Sequence, residues 1–104
     1  MGEFSNQLTP AQVERLAILS EEMGEAQQVI GKILRHGYQS GNPLEAYIAN
    51  ETLLEKELGH VRFAMGMLWC AGDVSEARVI DACDKKGDSI KRWLHHASVG
   101  AELK

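Results

Sequence analysis

Apolar residues recur at steps of three and four along most of this chain. Val13, Leu16, Leu19, Met23, Ala26, Ile30 and Ile33 form the first series, the signature of an amphipathic helix. Thr9-Pro10-Ala11-Gln12 opens it: Thr9 can cap, Pro10 suits the first helical position, and Gln12 can complete a capping box. With Gly37 as the expected stop, the helix spans about 40 Å at ~1.5 Å per residue. The stretch HGYQSGNP, residues 36–43, carries two glycines and a proline and reads as a loop, with Asn42-Pro43-Leu44-Glu45 opening a short helical turn. Leu54, Leu58, Val61, Met65 and Leu68 make a second helical series, capped by Asn50 and ended by Gly72. Val79, Ile80, Cys83, Ile90 and Leu94 make a third, running to about His96, with Asp73 and Glu76 in a D-x-x-E capping box. No segment alternates as a strand would. Residues 1–8 and 97–104 have no periodicity and are expected to be loose.

The pattern predicts an all-α protein, a bundle of three long helices in one domain over residues 9–96. At 104 residues the core is small. Leu16, Ile18 and Leu19 cover a wide arc of the first helix, and Leu53, Leu54 and Leu58 do so on the second. Arcs that broad need more than one partner, so the bundle is expected to be completed by homo-oligomerisation. The net charge of −4 disfavours a nucleic-acid partner, which calls for a basic surface. No apolar run approaches the ~20 residues of a membrane span, and the start lacks the pattern of a secretory signal. The expected location is cytoplasmic, with no membrane partner. Cys70 and Cys83 fall in apolar surroundings and read as core thiols rather than a disulfide.

Polar residues interrupt two of the apolar stripes. In LSEEMGEAQQ, residues 19–28, Glu22 and Glu25 stand three apart and therefore share one helix face. Glu22 lies between Leu19 and Ala26, and Glu25 between Ile18 and Val29. Glu21 points about 100° away, closer to solvent. In LLEKELGHV, residues 53–61, Glu57 and His60 repeat the spacing of three. Ionised carboxylates in an apolar setting are costly unless paired or bound to metal. Few cations stand on these faces, so E-x-x-E opposite E-x-x-H reads as a divalent-metal site. Either pair alone also occurs on ordinary solvated faces; both falling inside apolar stripes is what points to metal.

The segments LAILSEEMGEAQQVIGKILRHG and LLEKELGHVRFAM resemble the MazG-like all-α nucleoside triphosphate pyrophosphohydrolases, in particular the short single-domain type. That family carries E-E-x-x-E on one helix and E-x-x-D on the next. Here the first motif is Glu21, Glu22 and Glu25; the second starts at Glu57 in ELGH, with His60 where the family usually has aspartate. The resemblance covers roughly residues 9–96. It implies a homodimer or homotetramer that hydrolyses a nucleoside triphosphate to monophosphate and pyrophosphate with Mg2+. Glu22, Glu25, Glu57 and, in the fourth position, His60 become the implied metal ligands. Because imidazole suits manganese or other transition ions better than magnesium, Mn2+ or another divalent ion is the alternative. Glu21, beside the ligands, is the candidate to orient or deprotonate the attacking water.

Basic residues on the third helix hold substrate phosphates in that family, and Lys86 is the best match here, followed by Lys91 and Arg92. Lys32, Arg35, His36 and Tyr38 surround the end of the first helix and are candidates to meet the base or sugar. Trp69 and Trp93 read as core aromatics first and stacking platforms second. Two other functions stay open: a ferritin-like di-iron site built on Glu57-x-x-His60, and a non-catalytic helical protein with a degenerate site.

Overall fold

A computed structural model describes residues 5–41, 44 and 47–97. It contains three helices, α1 (Pro10–His36), α2 (Asn50–Cys70) and α3 (Glu76–Ile90), and no strand among the described residues. The chain is all-α, as the pattern requires. It divides into two units, one up to Asp73 and one from Val74 onwards. The first holds α1 and α2, the second α3.

The start of α1 follows the sequence closely. Thr9 Oγ1 accepts from the Gln12 backbone N–H at 3.1 Å, and Gln12 Oε1 accepts from the Thr9 N–H at 2.8 Å. Two of the N–H groups that a helix start leaves unpaired are thereby satisfied. The helix stops at Gly37, whose φ of 88° is a conformation that glycine adopts without strain. At the end of α2, Gly72 sits at φ 83°, Asp73 N–H donates to Leu68 O, and Gly72 N–H donates to Trp69 O. This is a Schellman closure.

Both later N-termini differ from expectation. Asn50 is not the cap of α2; it is the first helical residue, after Ala49. The loop itself takes over the capping. Asn50 N–H donates to Ser40 O at 2.8 Å and Glu51 N–H to Tyr38 O at 2.9 Å. The buried Asn50 side chain donates to Gly37 O, and Tyr47 Oη donates to Gln39 O. Likewise α3 is capped by Ser75, which accepts from Arg78 N–H, not by an Asp73–Glu76 box. The Asp73 carboxylate is committed to Arg15 instead. The third helix also ends at Ile90 rather than near His96: Trp93 N–H donates to Ile90 O, a bond three residues back that tightens the chain into a turn. The short helical turn expected around Asn42–Glu45 lies mostly outside the described residues, as do residues 1–4 and 98–104 of the termini.

Within the first unit, α1 and α2 pack extensively as an antiparallel hairpin. Gly37 meets Asn50 at the loop end, Glu22 meets His60 midway, and Arg15 meets Asp73 at the open end. Among the described residues, the buried apolar ones are Ala26 and Val29 on α1 and Ala64 and Leu68 on α2. Several expected core positions are exposed, among them Val13, Leu16, Met23, Ile30 and Leu58. Two helices cover only part of each other's wide apolar arcs, so the outer part of each arc stays open. Ala26 and Ala64 are small, and small residues at a helix contact let the axes approach.

The second unit is α3 with its flanking turns. Val79, Ile80, Cys83 and Ile90 fall within about 100° of one another on its wheel. An Asp81–Lys85 ion pair at 2.9 Å spans one turn. Neither cysteine is the core thiol the sequence suggested: Cys70 and Cys83 are free and exposed. Cys70 lies on the side of α2 away from Glu57, Ala64 and Leu68. Trp93, expected in a core, is also exposed.

Candidate metal centre

The residue types that interrupt the apolar stripes meet at the middle of the α1–α2 hairpin. Glu22 and Glu25 come from α1; Glu57 and His60 come from α2. Spacing of three puts each pair on one face, and antiparallel packing turns the two faces together. One donor atom from each of the four residues lies within 4.8 Å of the other three. Two donors on one ion at ~2.1 Å stand at most about 4.2 Å apart, so the four need little movement to share an ion.

The cluster is graded in exposure. Glu57 is its buried end, at 7% relative exposure. Glu22 and Glu25 are half-buried, and the His60 side chain is 47% exposed. His60 Nδ1 lies 3.3 Å from Glu22 Oε2 and 3.5 Å from Glu57 Oε2. Both of those oxygens are shielded from solvent, and apart from the carboxyl contact between Glu25 and Glu57 neither has a hydrogen-bond partner among the described residues; the imidazole is close to them without the angle of a hydrogen bond. Lys56, the cation nearest Glu57, stands 3.7 Å from its other oxygen, Oε1.

Crowding of like charges shows in Glu25. Its carboxyl is pushed above the ordinary range, first by hydrogen bonding with the Glu57 carboxyl, then by the Glu22 charge, by burial, and by the charges of Glu57 and Glu21. Two shielded oxygens without partners, inside a set of three carboxylates, make an arrangement that a divalent cation would neutralise. The residues present fit such an ion. Sequence spacing found all four.

The remaining sequence candidates are not part of the cluster. Glu21 is exposed on α1, beside Glu22, and acts on Glu25 through its charge. Lys32 and Arg35 are exposed near the end of α1; Lys32 stands two turns, about 10 Å, beyond Glu25 on nearly the same side of the helix. Lys86, Lys91 and Arg92 belong to the second unit and are exposed, with Lys91 Nζ 3.7 Å from Asp88. Sequence reading did not single out a groove of about 830 Å³ along the hairpin, lined by Leu16, Leu19, Met23, Ile30, Leu58 and Val61 among others. The exposed half of the expected core stripe forms its wall.

No known family model, curated protein or solved structure matches this chain. Among the described residues, no helix is long and apolar enough to cross a membrane.

Proposed function

We propose that this protein is a divalent-metal-dependent nucleoside triphosphate pyrophosphohydrolase of the MazG-like kind, acting as a homo-oligomer. The observation that carries the reading is the convergence of Glu22, Glu25, Glu57 and His60, with two shielded carboxylate oxygens lacking partners. Magnesium is the ion implied by the resemblance. A bound divalent cation supplies charge neutralisation for the triphosphate and a more acidic water.

The protein's own groups divide the rest of the work. Glu57 anchors the site from its buried end, and Glu22 and Glu25 complete the carboxylate set from the facing helix. Glu21, exposed and adjacent, accepts the proton of the attacking water. The water oxygen bonds to the α-phosphorus, the bond from the α-phosphorus to the α–β bridging oxygen breaks, and that oxygen leaves as part of pyrophosphate. The assignment of Lys86, Lys91, Arg92, Lys32 and Arg35 to the substrate rests on residue type and resemblance alone. Two free thiols suit a reducing, cytoplasmic setting.

The test is pyrophosphate release from a panel of ribo- and deoxynucleoside triphosphates, with magnesium and with manganese, by the parent protein and by Glu57→Gln. Release by the parent that the variant loses is the expected result. No release from any nucleotide with either metal overturns the reading. His60 Nδ1 beside Glu57 favours one competing reading, a ferritin-like iron site. Ferrous-ion oxidation without nucleotide hydrolysis selects it.

A further inference from the structure

We infer that the cluster selects a first-row transition cation, with manganese as the probe, over magnesium, because His60 contributes a nitrogen donor from inside it. The inference rests on the reading of the cluster as a metal site. Four carboxylate or imidazole side chains near one another are by themselves unremarkable on a helix pair. The buried end changes that. Glu57 is more than nine-tenths buried, and among the described residues its Oε2 has no hydrogen-bond partner other than the neighbouring Glu25 carboxyl, itself an acidic group. That oxygen points into the cluster, 3.5 Å from His60 Nδ1. Only His60 Nδ1, which carries charge when protonated, stands at ion-pair distance from these shielded oxygens, so three crowded carboxylates there suit a ligand that supplies more positive charge.

His60 defines which charge. Its Nδ1, not merely its ring edge, approaches both orphaned oxygens, Glu22 Oε2 at 3.3 Å and Glu57 Oε2 at 3.5 Å. A cation drawn to those two oxygens therefore meets the nitrogen as well. Magnesium takes oxygen ligands in near-ideal octahedral geometry and gives up its waters reluctantly. Imidazole nitrogen suits iron, zinc and copper, and manganese, the weakest binder of the first-row series and a carboxylate-accepting ion like magnesium, still takes a nitrogen donor more readily than magnesium does. Three carboxylates and one imidazole are thus a mismatch for magnesium and a match for a transition ion. Removing the nitrogen while keeping a ligand, as in His60→Asp, makes an all-oxygen set and should move the preference back.

The experiment uses the full chain without nucleotide. Parent, His60→Asp and His60→Gln are titrated calorimetrically with manganese and with magnesium, and their helicity is checked by circular dichroism. The manganese-loaded forms are then examined by pulsed electron paramagnetic resonance for ¹⁴N coupling. The parent should prefer manganese and show a directly bound nitrogen. His60→Asp should narrow the manganese-to-magnesium preference by roughly tenfold or more, as expected when the one nitrogen ligand is exchanged for oxygen. The ¹⁴N coupling should vanish in both variants; His60→Gln keeps that readout decisive if the aspartate variant fails to fold. Manganese bound without ¹⁴N coupling, or with a preference unchanged in His60→Asp, overturns the inference and leaves the metal site standing. No binding of either ion by the parent overturns the site and the inference together.

Discussion

Arg15 holds Asp73 with two parallel hydrogen bonds, Nε to Oδ2 at 2.6 Å and Nη2 to Oδ1 at 3.0 Å. The pair joins the second turn of α1 to the turn that closes α2. At the opposite end of the hairpin, Asn50 ties the start of α2 to Gly37. The acidic cluster lies between these two ties. A hairpin pinned at both ends cannot slide, and register is what keeps Glu22 and Glu25 opposite Glu57 and His60.

The first prediction follows from that pair. Hydrogen bonding and charge from Arg15 hold the Asp73 carboxyl below its ordinary value of 3.8, against the opposing effect of burial. A lowered folded-state value means that the unfolded chain binds the proton more readily. The stabilisation is therefore present above the ordinary value and disappears as pH falls through the lowered one. Asp73→Asn should lower the melting temperature at neutral pH and reduce its fall on acidification below about pH 4. Thermal melts across pH 2–7, followed by circular dichroism, measure both, about the span over which carboxylates titrate. An acid limb identical in parent and variant would show that the pair contributes nothing.

Glu57→Gln separates folding from binding. The amide is nearly the size of the carboxylate, carries no charge, and can donate to the carboxylates beside it. Without metal, the variant should melt at the same temperature as the parent or higher, since like-charge repulsion is relieved. With metal, affinity should fall by more than the roughly 10–100-fold that losing a mere supporting group costs. Calorimetric titration with manganese decides; equal affinity removes Glu57 from the ligand set.

The cap of α1 gives a prediction remote from the cluster. Thr9→Ala removes one arm of a reciprocal pair and should cost about 1 kcal/mol in urea unfolding, within the ~0.5–2 kcal/mol range for such caps. Thr9→Gly should cost less, because glycine is a tolerated cap. Metal affinity should not change in either, since Thr9 is more than three helical turns from Glu22.

Assembly is the fourth. Met23, Leu58 and Phe63 are more than half exposed on the hairpin, Phe63 at 72%. Light scattering at micromolar concentration should give at least twice the 11.5 kDa chain mass. A well-folded monomer there removes the homo-oligomer from the proposed function.

The sequence alone determined what depends on neighbours a turn away. The α1 boundaries were legible because Thr9, Pro10, Gln12 and Gly37 act through bonds spanning three or four residues, and Gly72 closes α2 in the same way. Glu22 with Glu25, and Glu57 with His60, were legible as pairs because a spacing of three fixes their face on any helix. Tertiary structure decided whatever needed a partner far along the chain. Asp73 reads locally as a helix cap, yet Arg15, 58 residues away, takes its carboxylate. Asn50 reads as a cap too, until the folded loop offers the α2 start its backbone carbonyls and turns the side chain to Gly37. Leu58 fits the apolar stripe as well as Leu68 does, but only Leu68 is buried, because a single facing helix covers one part of a wide arc. The meeting of four donors within 4.8 Å belongs to the same class. Spacing put each pair on a face; only antiparallel packing, in a register tied at both ends, brought the faces together.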